Sequence, residues 1–85
     1  MQSNESRDGA AAERMRRAVS AAVNGKGSRG ELEEAARTLV AELRRQQAPP
    51  ERMLLQIKEL LVGADEAIYR DVIAWAIKAY YGARD

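Results

Sequence analysis

The sequence predicts an all-α fold, a small bundle of three to four helices, and three observations carry that prediction. Apolar residues recur three and four positions apart in four separate segments. No segment alternates apolar and polar residues over the length of a strand. The boundaries between segments fall on Ser, Asp, Pro and Gly, the residues that start and stop helices.

Residues 1–8, MQSNESRD, are polar and without period, and are expected to be disordered. The rest, 9–85, reads as a single helical domain. The first helix is expected over 10–24, with Met15, Ala18, Val19 and Ala22 on one face. That face is narrow and rich in alanine, so its burial yields little and the helix is expected to dock loosely. Glu13 and Arg17 stand four apart in the orientation that supports a helix.

NGKGSRG, residues 24–30, holds three glycines and no large apolar residue, which predicts a hinge. Ser28 followed by Glu31 matches a capping box that starts the second helix, 29–47. Leu32, Ala36, Leu39, Val40 and Leu43 share an arc of roughly 100° at 3.6 residues per turn. Glu33, Glu34, Arg37, Arg44 and Arg45 take the other side. Ala48-Pro49-Pro50 ends this helix and opens the third, 50–62, because proline fits a first turn but cannot continue an existing one. Met53, Leu54, Ile57, Leu60 and Leu61 form its main stripe, and Leu55 and Val62, seven apart, form a second ridge. Gly63 is the expected stop, Asp65 the cap of the fourth helix, 65–81, and Gly82 its end. The second, third and fourth helices make the expected three-helix core.

The fourth helix, AIYRDVIAWAIKAYYG, has more apolar surface than such a core needs. Ile68, Tyr69, Val72, Ile73, Trp75, Ala76, Ala79 and Tyr80 span about 160°, and Ile77 and Tyr81 widen this to roughly 220–240°. The surplus has three readings: this helix is the centre of the monomer, it joins two copies of the chain, or it receives another protein. A chain of 85 residues without cysteine gains little from its own core and has no disulfide to help it. A homodimer is therefore expected, with Leu55, Val62, Trp75, Ile77, Tyr80 and Tyr81 as its interface.

Chemistry has few carriers here. Without histidine or cysteine the usual triads, general bases and thiolate or imidazole metal sites are missing, so no catalytic residue, metal or cofactor is assigned. Gly25-Lys26-Gly27-Ser28 lacks the spacing and preceding strand of a phosphate loop. Glu33–Glu34 reads as a solvated face and Asp65–Glu66 as a helix start. The function expected is that of a non-catalytic protein-interaction or regulatory module, acting as a homodimer with an unidentified protein as a further partner.

The alternative is a dimeric DNA-binding regulator. Residues 1–30 hold six Lys/Arg against three Asp/Glu, whereas 31–85 hold eight against ten. Arg14, Arg16, Arg17, Lys26 and Arg29 would supply the phosphate contacts. A net charge of +1 and a Pro-Pro corner in place of a helix-turn-helix turn weigh against it. No run approaches the ~18 apolar residues of a membrane span, and the opening residues lack a signal peptide's apolar segment. A cytoplasmic protein without membrane contact is the expectation.

Overall fold

The computed structural model describes the backbone of residues 3–82 and the side chains of residues 9–82. Four helices follow one another: α1 (Ser3–Val23), α2 (Arg29–Arg45), α3 (Pro50–Leu60) and α4 (Glu66–Tyr81). No strand occurs among the described residues. The predicted N-caps form. Ser28 Oγ accepts from the Glu31 N–H at 3.1 Å, and Asp65 Oδ1 accepts from the Ile68 N–H at 2.9 Å. Pro49 is the N-cap of α3 and Pro50 its first residue.

Three of the expected boundaries move by two residues or more, among them the end of α2, at Arg45 and not 47. The backbone is helical from Ser3, where no regular structure was expected, and residues 1–2 lie outside the described segment. Extending a helix costs far less than nucleating one, so polar residues can continue a helix whose later turns are held by packing. At the other end of the hairpin, α3 stops at Leu60, and Gly63 takes φ 93° in the turn that follows.

The core is wholly apolar: no polar or charged side chain is buried among the described residues. Its largest contribution comes from α2, whose Leu32, Ala35, Ala36, Leu39, Val40 and Leu43 are all buried. Met53, Ile57 and Leu61 enter from the α3 side, and Ile68, Val72 and Ala76 from α4. The helices close a ring in the order α1, α2, α4, α3. The Arg29 side chain at the start of α2 pairs with Asp71 in the first half of α4. Tyr80, near the end of α4, donates its hydroxyl to the Ala48 carbonyl at 2.7 Å, just beyond α2. These two ties fix α2 and α4 side by side and running in the same direction.

This arrangement corrects the expected role of the first helix. Ala11, Met15 and Val19 are core residues, and α1 is a principal neighbour of α2. Alanine's small size, which suggested a weak face, lets the α1 and α2 backbones approach closely and bring Met15 to full burial. The central helix is therefore α2, flanked by α1 and α4, and not the fourth helix.

The glycine-rich segment expected as a hinge begins with a hydrogen-bonded turn. Lys26 N–H donates to the Ala21 carbonyl at 2.7 Å and Gly25 N–H to the Ala22 carbonyl at 3.1 Å. With Gly25 at φ 73°, this is a Schellman stop. Gly27 then lies so close to α1 that a Cβ placed on it would stand 2.9 Å from Ala21 Cβ. Gly27→Ala is expected to cost about 1–2 kcal/mol through this overpacking, read as a lower urea midpoint; an unchanged midpoint would mean that the turn yields freely.

The same stop recurs after α2 with an unexpected residue. Gln47 N–H donates to Arg44 and Ala48 N–H to Leu43, which puts Gln47 at φ 62°. A side chain in this left-handed region is strained, and glycine is not. Gln47→Gly is expected to raise stability by about 0.5–1 kcal/mol despite glycine's freer unfolded chain. Thermal unfolding followed by circular dichroism checks the sign.

Candidate interaction site

The candidate site is built on α4, whose one side fills the core while another stays outside. Ile68, Val72 and Ala76 point inward at four-residue spacing. Tyr69, Ile73, Ile77 and Tyr81 follow the same spacing, rotated by one residue or about 100°. They form a continuous apolar ridge about 18 Å long. Ile73 is half-buried against the core, while Tyr69 is 37%, Ile77 41% and Tyr81 59% exposed. The Tyr81 ring meets Tyr80 edge-on with centroids 5.0 Å apart, which restricts it. Glu66 and Arg70 pair at 3.6 Å beside this ridge and leave its apolar line unbroken.

The six residues expected to make one interface lie on several surfaces. Trp75 and Ile77 are two positions apart, about 200° around the helix. Trp75 accordingly lines a groove between α2 and α4, away from the ridge. Tyr80 is engaged within the monomer: its hydroxyl closes on Ala48, and the Arg44 guanidinium lies 5.8 Å from its ring centroid. That bond has a local cause, since Pro49 and Pro50 leave the corner short of N–H donors. Leu55 and Val62 are 63% and 82% exposed, but each borders a groove between α1 and α3. Ile77 and Tyr81 remain together, and Tyr69 and Ile73 join them.

Tyr69 and Ile73 were read from the sequence as part of the main arc. The signal that places them otherwise is the unbroken four-residue repeat from 69 to 81, which a count of total arc conceals. Val23, exposed at the end of α1 beside Val62, was not singled out at all.

The basic residues of the N-terminal third are likewise spread over different edges. Arg14 and Arg17 border α2, near Glu31 and Ala35, whereas Arg16 borders α3. Glu13 stands between them, 2.8 Å from Arg16 and 3.7 Å from Arg17. Arg29 is turned to Asp71, and Lys26 is exposed in the turn. A single basic face is not formed.

No cluster of three metal-ligating side chains occurs among the described residues, and none of their helices is long and apolar enough to cross a membrane. Comparison with known protein families, with curated proteins and with solved structures finds no match.

Proposed function

We propose that the chain is a small non-catalytic interaction module that acts as a homodimer joined along the outer ridge of α4. The observation that carries this reading is the apolar line Tyr69–Ile73–Ile77–Tyr81, exposed at three of its positions and half-buried at Ile73, along a helix whose inner side is already satisfied. A two-fold axis across its middle sets Ile73 of one copy against Ile77 of the other, and Tyr69 against Tyr81. Every ridge residue then finds an apolar counterpart, which is the economy of an isologous contact. The tyrosines suit the rim of such an interface, since their rings bury area while their hydroxyls stay wet. The absence of histidine and cysteine supports the non-catalytic part of the reading.

Four residues per copy make a modest interface, so association is expected on the order of 10 μM and governed by mass action. Sedimentation equilibrium from about 1 to about 300 μM covers that range. The expected result is a rise from the 9.4 kDa chain mass to twice that value. A mass that stays at 9.4 kDa throughout would overturn the dimer.

A further inference from the structure

The geometry points to a second binding surface, the groove between α2 and α4, and to an acidic amphipathic helix of a partner protein as its occupant. The groove lies on the flank of α4 away from the proposed dimer ridge, so the two proposals stand or fall separately. Its volume is about 410 Å³. It is bounded along α2 from Glu33 to Arg44, about three helical turns.

Small residues form its floor: Ala41 on α2 and Ala79 on α4, where a partner backbone can come close. Its walls carry three cations. Arg37 and Arg44 are seven residues apart on α2, a spacing of roughly 10 Å along the axis, and Lys78 faces them from α4. None of the three has a carboxylate partner among the described residues, a property they share with Arg14, Lys26, Arg52 and Lys58; what sets them apart is that they converge on one groove, with Arg44 also 5.8 Å from the Tyr80 ring centroid. Trp75 adds an apolar surface to the same groove from the α4 side.

A helix is the occupant whose repeat matches this register. Carboxylates at i and i+7 on a docked helix recur at the same roughly 10 Å interval as Arg37 and Arg44. The apolar residues of that helix would cover Trp75, Ala41 and Ala79, the helix-in-groove mode of recognition. Glu33 gives the channel a direction: acidic residues of the partner lie toward Arg44, and a neutral or basic end lies at Glu33.

Trp75 is the only tryptophan of the chain, so its emission reports the groove without a label. The test titrates the full chain with three stapled helical peptides of about 15 residues. All share a leucine stripe, with Glu at i and i+7 on one flank, on the other, or on both. At least one is expected to change Trp75 emission saturably, and its Glu→Gln version to bind about tenfold more weakly. The double variant Arg37→Gln/Arg44→Gln should show a similar tenfold loss, and Lys78→Gln alone a loss of about threefold. Arg14→Gln/Arg17→Gln, on the other side of α2, should leave binding unchanged. All replaced side chains are exposed, and circular dichroism confirms that each variant is folded. The proposal is overturned if no peptide gives a saturable change, if Gln peptides bind as well as Glu peptides, or if the Arg14/Arg17 variant loses as much. It is also overturned if a ten-residue oligothymidylate binds more tightly than the best peptide, which would assign the groove to nucleic acid.

Discussion

Replacing Met15 with alanine is expected to lower stability by about 2–4 kcal/mol, and the melting temperature by more than about 10 °C. The reason lies in where α1 sits. Met15 has no exposed surface, and it is the largest core side chain that α1 contributes. Its neighbours one turn away on either side, Ala11 and Val19, are too small to fill the space it would leave. Removing its side chain costs the transfer energy of the lost atoms and adds a term for the remaining cavity. An α1 that docked loosely would simply move inward, and the loss would be a few tenths of a kcal/mol. The size of the Met15→Ala effect in a urea titration therefore decides whether α1 belongs to the fold.

Ile77→Glu is expected to act on association and hardly on the monomer. In the proposed dimer each copy would place a carboxylate in the apolar centre of the contact, opposite the Ile73 of its partner. Two desolvated charges per dimer are expected to weaken association by at least about a hundredfold, or about 2.7 kcal/mol. Ile77 is 41% exposed in the monomer, so the melting temperature of dilute protein should fall only slightly. Leu55→Glu serves as the contrast. Leu55 is more exposed than Ile77 and equally apolar, but it lies beside the α1–α3 groove. It is expected to leave sedimentation unchanged.

Helix-level structure was legible because its determinants are local. Ser28 and Asp65 cap where the sequence places them, and the five-residue stripe of the second helix, from Leu32 to Leu43, is buried in full. What escaped was relational. Ala11 and Ala18 look weak by hydrophobic content, yet small side chains decide how closely two backbones pack, and α1 became integral for that reason. Lys26 and Gly27 read as a flexible tether because glycine is permissive. The N–H groups of both close on Ala21, and permissiveness there serves a tight turn. Nothing in the identity of Gln47 announces a left-handed residue, because any L side chain is disfavoured there and only the closing hydrogen bonds impose it.

The candidate surfaces were half legible for the same reason. The excess apolar arc of the fourth helix was visible in the sequence, but which part of it the core would take depended on where α2 and α3 lay. With α2 central, Trp75 falls to the α2 flank and Tyr80 to the α2–α3 corner. The ridge from Tyr69 to Tyr81 is what remains. Arg37 and Arg44 read as ordinary solvated arginines until α4 set Trp75 and Lys78 across from them.

The central claim, a two-fold contact along the outer ridge of α4, is tested most directly by site-selective cross-linking. The natural chain contains no cysteine, so single replacements introduce the only thiol. With a short bismaleimide, Ile73→Cys and Ile77→Cys are expected to give covalent dimers in high yield. Leu55→Cys on α3 and Arg37→Cys in the α2–α4 groove should remain monomeric under the same conditions. Failure of both ridge positions to cross-link, or equal yields at Leu55 and Ile77, would contradict the account.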